Sequence, residues 1–401
     1  MMDFLQKHQS FLMGNYAPPA IEIVRGKGSH LWDSQGKQYL DFTSGIAVTN
    51  LGHSHPKWVK QVQKQTEVLA HCSNLYSIPE QVRLAERLAG KIGSGKVLFC
   101  NSGAEANEAL IKLSRLHGQC GQGKRTKILV AKNGFHGRTL GALSATESSK
   151  YRSGFEPLLS GFVFCELNQL SDFENAIDEE TVAVLVESIQ GEGGLHVASD
   201  SFLLGIEKLC KQHNLLFLMD EVQAGIARTG EFLGYQKSGA QPDAIAMAKG
   251  LGGGFPIGAI WVSEAYASLF VPGSHGTTFG GSPLACSAAH AVLDIIEEEN
   301  LISRACELGG QLLEGVQRLA EKFPQKILEV RGRGLMLGLQ LAAEPAELVS
   351  ILRNNGLLAV GAAGQTLRLL PPLTISKEEI EKGLAILDES LIQFEPNKLI
   401  P

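Results

Sequence analysis

The sequence predicts an α/β fold, a mostly parallel sheet covered by helices on both faces, and three observations predict it. Short apolar runs of strand length recur through the middle of the chain. Stretches with helical periodicity lie between them, long enough for the crossovers that parallel strands require. The runs are apolar almost throughout, as strands buried on both faces are.

In chain order the strands are KVLFC at 96–100, KILVA at 127–131, TVAVLVE at 181–187, LLFLMD at 215–220, DAIAMA at 243–248 and GAIWV at 258–262. Helices are expected at about 80–90, 103–117 and 199–213. The two ends read differently: residues 20–45 suggest a hairpin with a Gly-containing turn, and 327–370 mix short strands with a helix after two long amphipathic helices. The expected organisation is a segment over 1–50 joining a small domain, a large domain over 51–295 and a C-terminal small domain over 296–401. The small domain is then α+β and built from both chain ends. No internal repeat is visible.

Composition narrows the class of partner. Of 401 residues, 36 are Lys or Arg and 42 are Asp or Glu, for a net charge of −6, so no basic field exists to hold nucleic acid or an anionic membrane surface. A small-molecule ligand is expected instead. The seven cysteines, at 72, 100, 120, 165, 210, 286 and 306, form no Cys-x-x-Cys pair, which points to reduced thiols and not to a disulfide framework. Asp3, Lys7 and His8 interrupt what a signal peptide would keep apolar, and no run approaches the roughly 18 apolar residues of a membrane span. A cytoplasmic location is expected.

Chemistry-bearing residues stand where strands end. Asn101-Ser102-Gly103-Ala104-Glu105 follows KVLFC and opens a helix. Small residues there leave N–H groups free for a phosphate, although the same pattern is an ordinary N-cap with a capping-box acid. Asp220 and Glu221 follow LLFLM at the strand edge where open α/β sheets bind ligands. A buried carboxylate there takes a metal, pairs with a protonated nitrogen, or is a structural acid held by backbone donors. Lys249 follows DAIAMA and precedes Gly250-Leu251-Gly252-Gly253-Gly254, where it is either a solvated charge or a Schiff-base nucleophile with a depressed pKa. Gly-rich loops also follow other strands: Asn133-Gly134-Phe135-His136-Gly137-Arg138, Gln190-Gly191-Glu192-Gly193-Gly194 and Gly273-Ser274-His275-Gly276-Thr277-Thr278. A Walker-like run at 118–125 has Arg125 where Mg²⁺ needs a hydroxyl, and it follows a helix instead of a strand.

Taken together, these blocks resemble the class III (ornithine-type) aminotransferases, pyridoxal-phosphate enzymes of fold type I. The likeness runs from IVRGKGSHLWDSQGKQYLDF and SGIAVTNLGHSHP through NSGAEANEALIKLSR, FHGRT, ESIQGEGG, LMDEVQAGIARTG, MAKGLGGGFPIGA and GSHGTTFGGSPLAC to VRGRGLMLGLQL, nearly the whole chain. Within the class the pattern is most similar to the acetylornithine and succinylornithine enzymes.

The resemblance implies the cofactor pyridoxal 5'-phosphate, and it implies roles. Lys249 would hold the cofactor covalently and then move a proton. Asp220 would pair with the pyridine nitrogen, Val222 and Phe135 would cover the two ring faces, and Gln223 would reach the phenolic oxygen. Ser102, Gly103 and Ala104 would seat the phosphate, with Thr278 reaching it from a second subunit and Thr277 touching substrate. Arg138 would clamp the α-carboxylate of the donor. Arg368 would hold that of 2-oxoglutarate, with Glu192 neutralising Arg368 while the donor is bound. A homodimer with shared sites follows, as does transfer of an ω-amino group to 2-oxoglutarate to give glutamate and a semialdehyde, with 4-aminobutyrate or ornithine as alternative donors.

Two departures from the family pattern stand out, and only the first has a physical reading. Ile46 stands where ornithine enzymes carry a tyrosine, which removes a hydroxyl that reads a free α-amino group, and Ser282 stands where the family usually has asparagine. A reading from a different class is a metal-dependent hydrolase using His53, His55, Asp220 and Glu221.

Overall fold

The computed structural model describes residues 4–120 and 124–395. The outermost ends of the expected first and last segments, and residues 121–123 of the Walker-like run, lie outside the described residues.

Seven strands form the main sheet, in the order Gly95–Cys100, Gly258–Ser263, Ala244–Met247, Leu216–Asp220, Thr181–Glu187, Lys127–Ala131, Phe162–Cys165. From Ala244–Met247 to Phe162–Cys165 every pairing is parallel. Gly258–Ser263 is antiparallel to both neighbours, which corrects the expectation that it runs with the rest. The physical reason is the link from Met247 to Gly258: it is glycine-rich and holds one 3-10 turn at Lys249–Leu251, too little for a crossover. The reading also missed Phe162–Cys165, a half-buried edge strand of 4 residues, too short for a periodicity signal.

All seven residues of Thr181–Glu187 are buried, and alternate side chains of the sheet serve opposite faces. Ile128, Val130, Ala183, Leu185, Leu216 and Leu218 pack with Ala106, Ala109, Leu110 and Leu113 of helix Gly103–His117. Leu129, Val184, Val186, Phe217 and Met219 belong to the other packed layer, with Phe202, Leu203 and Ile206 of helix Asp200–His213 and Ala289, Val292 and Leu293 of helix Pro283–Glu298.

Near the amino terminus, Ile23–Lys27, His30–Asp33 and Gln38–Asp41 form three antiparallel strands where the sequence suggested one hairpin. The second turn is an Asx turn: Asp33 Oδ1 accepts from Gln35 N (3.0 Å) and Lys37 N (2.9 Å). Leu357–Leu358 adds to this sheet in parallel beside Gln38–Asp41, which joins the two ends of the chain. A third, antiparallel sheet orders Ile327–Arg333, Met336–Leu341, Thr366–Leu369 and Val360–Ala362. Among the described residues no helix is long and apolar enough to cross a membrane, and all seven cysteines are unpaired.

This topology decides where chemistry can occur. Cys100, Ala131, Glu187, Asp220 and Met247 all end their strands at one edge of the main sheet, the edge at which open α/β sheets hold ligands.

Candidate active site

At that edge lies a cavity of about 390 Å³, lined among others by Ser102, Gly103, Ala104, Phe135, Arg138, Asp220, Val222, Gln223 and Lys249. Its floor is the first turn of helix Gly103–His117. Ser102 caps this helix, its hydroxyl accepting from Glu105 N at 3.2 Å, while the Glu105 carboxylate takes Asn101 N at 2.5 Å. The cap therefore exists, and the N–H groups of Gly103 and Ala104 at the positive end of a 15-residue helix have no intrahelical acceptor. An added Cβ at Gly103 would meet Val222 Cγ1 at 2.6 Å, so only glycine lets the loop after Asp220 come this close.

The two adjacent carboxylates separate completely. Glu221 is fully buried away from the cavity and accepts from Gly234 N (2.8 Å) and Tyr235 N (2.9 Å), a structural acid that burial pushes up to about 7. Asp220 faces the cavity. Its Oδ2 accepts from His136 Nδ1 (2.8 Å) and Asn107 Nδ2 (2.7 Å), and its Oδ1 from Val222 N (3.0 Å). Three donors fix the carboxylate, yet Oδ1 keeps a lone pair for a further N–H. Burial works against charge on His136, but the Asp220 carboxylate and Glu187 outweigh it and hold the imidazole above its ordinary pKa. Glu187 lines the same cavity, takes Phe135 N (2.9 Å) and Gly191 N (3.2 Å), and is pushed up to about 7 by burial, with His136 opposing. Sequence reasoning missed Asn107, His136 and Glu187 as site residues, although each sits inside a block it quoted.

Lys249 is half-buried in the cavity wall, with its backbone in the left-handed region at φ 45°. Desolvation draws its amine below the ordinary lysine range, with Glu192 opposing, Arg368 assisting, and Asp220 and Glu187 opposing more weakly. A lowered pKa makes the uncharged amine, the form a nucleophile or a base needs, easier to reach than in an ordinary lysine.

Residues 12–391 match the aminotransferase class-III family. The chain belongs to the class III aminotransferases. It is a transaminase with the fold type I architecture, and enzymes of this family depend on pyridoxal phosphate. It is 46% identical over 388 residues to the acetylornithine aminotransferase of Caldanaerobacter subterraneus subsp. tengcongensis, covering 96% of this chain and 98% of that one. It is 47% identical over 383 residues to the acetylornithine aminotransferase of Aquifex aeolicus, covering 95% and 100%. Among solved structures, it superposes with a TM-score of 0.93 and 32% identity on the ornithine aminotransferase of Toxoplasma gondii that carries PLP at partial occupancy in its active site, over 97% of this chain and 94% of that one.

Within this class III aminotransferase, Arg368 and Glu192 sit beside the cavity and connect to it through Gln223. Arg368 Nη1 donates to Glu192 Oε1 (2.6 Å), Gln223 Oε1 (2.8 Å) and Gly191 O (2.7 Å), and Gln223 Nε2 donates to Glu192 Oε1 (3.2 Å). Burial would raise the Glu192 pKa, but the Arg368 guanidinium outweighs it and holds the carboxylate below its usual range. The Arg138 guanidinium lies over two rings, 4.0 Å from the Tyr151 centroid and 5.5 Å from that of Phe135.

Two expected residues do not reach the cavity of their own chain. Thr277 accepts from Asn101 Nδ2 through its hydroxyl (3.0 Å) and lines a separate cavity of about 680 Å³ beside helix Pro79–Ile92, while Thr278 is exposed. The four residues of the metal-hydrolase reading are dispersed: His53 pairs with Asp41 (2.7 Å), His55 with Glu299 (3.3 Å), and Asp220 and Glu221 as above. Ser282 caps helix Pro283–Glu298 by accepting from Ala285 N (3.4 Å). Serine and asparagine are equivalent in that task, so the departure at this position preserves the cap. Ile46 lies in a run of left-handed residues from Ser44 to Ala47 and is 38% exposed.

Proposed function

We propose that this class III aminotransferase uses pyridoxal 5'-phosphate to move the distal amino group of N-acetylornithine, or a similar ω-amine, to 2-oxoglutarate, giving glutamate and a semialdehyde. The observation that carries the reading is the convergence, in one cavity, of a lysine amine of lowered pKa, a carboxylate with a spare lone pair and the open N-terminal turn of a long helix. These are the partners that a phosphorylated aldehyde of a pyridine requires: an amine, an acceptor for a protonated ring nitrogen, and an anion seat. The cavity volume, about 390 Å³, lies within the roughly 300–1,000 Å³ of small-ligand sites.

When bound, the cofactor supplies an electron-withdrawing ring that takes up the electron pair left by loss of a proton from the amine-bearing carbon. Every other task falls to this chain. Asp220 keeps the ring nitrogen protonated, and His136 and Asn107 hold Asp220 in the orientation that does so. Val222 and Phe135 exclude water from the two ring faces, and Gln223 turns toward the phenolic oxygen. Ser102, Gly103 and Ala104 bind the phosphate. Lys249, once free, would move a proton between the substrate carbon and the cofactor's C4′ carbon, acid–base work suited to an amine whose pKa burial lowers.

Substrate selection rests on two arginines. Arg138 binds the donor's α-carboxylate as a bidentate fork, leaving the distal amine over the reacting centre. Glu192 occupies Arg368 during that half-reaction and yields it to the α-carboxylate of 2-oxoglutarate in the second, so that one pocket serves two charge patterns. Ile46 offers no hydroxyl to a free α-amino group, which supports an N-acylated donor. Thr278 is exposed outside the pocket, which supports a homodimer in which the partner's Thr278 completes the phosphate seat and the partner's Thr277 meets substrate. A cytoplasmic location accords with the unpaired cysteines.

The test is a half-reaction series. Cofactor-loaded protein is mixed separately with acetylornithine, succinylornithine, ornithine and 4-aminobutyrate while its visible absorption is followed. Acetylornithine should bleach the band fastest and 2-oxoglutarate should restore it. If ornithine outpaces the acylated donors, or 2-oxoglutarate fails to restore the band, the assignment is wrong.

A further inference from the structure

We propose that Tyr151 is a substrate-positioning residue: its ring, with that of Phe135, holds the Arg138 guanidinium at the rim of the pocket with its donors free for a carboxylate. This rests on the reading of Arg138 as the donor clamp and adds how the clamp is held.

Arg138 lines the cavity and is exposed, and among the described residues it makes no ion pair and no side-chain hydrogen bond. A long side chain with that freedom loses rotamer entropy whenever it grips a ligand. Here two rings restrain it in advance. The guanidinium carbon lies 4.0 Å from the Tyr151 ring centroid and 5.5 Å from that of Phe135, and the two rings meet edge to face, with centroids 5.6 Å apart at 80°. A cation held over a ring face is held without a hydrogen bond, and none of the Arg138 guanidinium N–H donors has a partner among the described residues, so the fork stays available for two parallel bonds to a carboxylate.

Tyr151 comes from the short helix Ser149–Arg152, outside every strand-end loop that builds the rest of the pocket. The next arginine, Arg152, stands over Phe164 at 5.3 Å and does not compete for the Tyr151 ring. Phe135 has a second duty at the cofactor, which leaves Tyr151 as the ring dedicated to the arginine.

The experiment uses the holoenzyme and two readouts: the KM and kcat for acetylornithine, and the calorimetric Kd of N-acetylnorvaline, which carries the α-carboxylate but no distal amine and cannot react. Tyr151→Leu should raise both KM and Kd by about 2- to 30-fold, the range expected for a cation–π contact, with a far smaller change in kcat. Tyr151→Phe keeps the ring and should restore both to within about twofold. In an Arg138→Ala background the loss of the ring should cost nothing more, because a positioning residue acts only through its arginine. Tyr151→Met substitutes if the leucine variant does not fold. An unchanged Kd in Tyr151→Leu, equal damage from Tyr151→Phe, or additive losses in the double variant would each overturn the proposal. If Arg138→Ala itself leaves KM and Kd unchanged, it is the clamp that fails.

Discussion

Gly103→Ala should weaken cofactor binding, against what helix propensity alone predicts. Alanine in place of glycine in a helix is favourable by roughly 0.5–1 kcal/mol. At this position, however, the new Cβ would lie 2.6 Å from Val222 Cγ1 and 3.0 Å from Cγ2. Carbon atoms in ordinary contact sit about 3.5–4.0 Å apart, so the two backbones must separate by about 1 Å. Val222 cannot retreat freely, because its N–H is bonded to Asp220 Oδ1 at 3.0 Å. Overpacking of this kind costs about 1–3 kcal/mol, which outweighs the propensity gain. Displacing Val222 moves the residue proposed to cover a cofactor ring face and disturbs Asp220, so the cost should fall on cofactor affinity, roughly 5- to 150-fold in Kd. The assay titrates the cofactor-free chain with pyridoxal phosphate by fluorescence, alongside its melting temperature. Gly103→Ala combined with Val222→Ala should lose less than the sum of the two single changes, since the second removes the atoms that clash. A Kd within twofold of the parent, or strict additivity, would refute the packing argument.

Glu192→Gln keeps an acceptor for Arg368 but removes the charge that occupies it, so glutarate should bind the cofactor-loaded protein roughly 10- to 100-fold more tightly, as measured by calorimetry. The unliganded protein should melt lower, because the Arg368 guanidinium is 1% exposed and loses its counter-charge. Stability should also depend on pH through Glu221. Its folded pKa of about 7 stands above the unfolded 4.5, so its contribution is complete below about pH 4.5 and is lost as pH rises toward 7, on the order of 3 kcal/mol. Glu221→Gln should therefore flatten the decline in melting temperature between pH 5 and 8, and an unchanged slope would count against it. Arg228→Met should lower stability by several kcal/mol at about 1–3 for each buried acceptor it abandons, since the guanidinium donates to Asn50 Oδ1 (2.6 Å), Leu335 O (3.0 Å) and Pro371 O. Unchanged chemical denaturation would contradict that role.

The parallel core was legible because strands buried on both faces read as unbroken apolar runs, and Thr181–Glu187 is such a strand from end to end. What escaped was governed by connection length and not by pattern. GAIWV has the same composition as its parallel neighbours, and only the short Gly-rich link before it dictates that it runs the other way. The same division appears in the site. Residues at strand ends, such as Asp220 and Lys249, announce themselves through position alone. Asn107 does not, because it lies inside helix Gly103–His117 and becomes part of the site only when the helix lays it against Asp220 at 2.7 Å. Tyr151 was silent for a similar reason: it sits in a separate short helix, Ser149–Arg152, and neither its surroundings nor those of Arg138 mark a pair. Asp220 and Glu221 looked alike in sequence, and the period-2 geometry of a strand end sent one to the ligand edge and the other into the protein.

The two arginines proposed to hold substrate come from different sheets. Arg138 belongs to a loop of the main sheet, whereas Arg368 stands in the third sheet, on Thr366–Leu369. A fixed distance between them requires the two sheets to be locked together, and Arg228 does this at 0% exposure by bonding the amino-terminal Asn50 and the backbone at Leu335 and Pro371 at once. Apolar packing could not replace it, because three acceptors drawn from separate segments would be left without donors in the interior. Burial pushes its guanidinium pKa down to about 9, with Asp41 opposing, yet that still leaves it charged at neutral pH. The fold thus places a group that is charged at neutral pH far from solvent and away from the candidate site, and the return is geometric: Arg368, Glu192 and Gln223 meet beside the cavity within hydrogen-bond distance of one another. A strand carrying Arg368 on a looser joint would let the guanidinium drift from Glu192, and the switch proposed for this pair works only if the competing partners address the same atom.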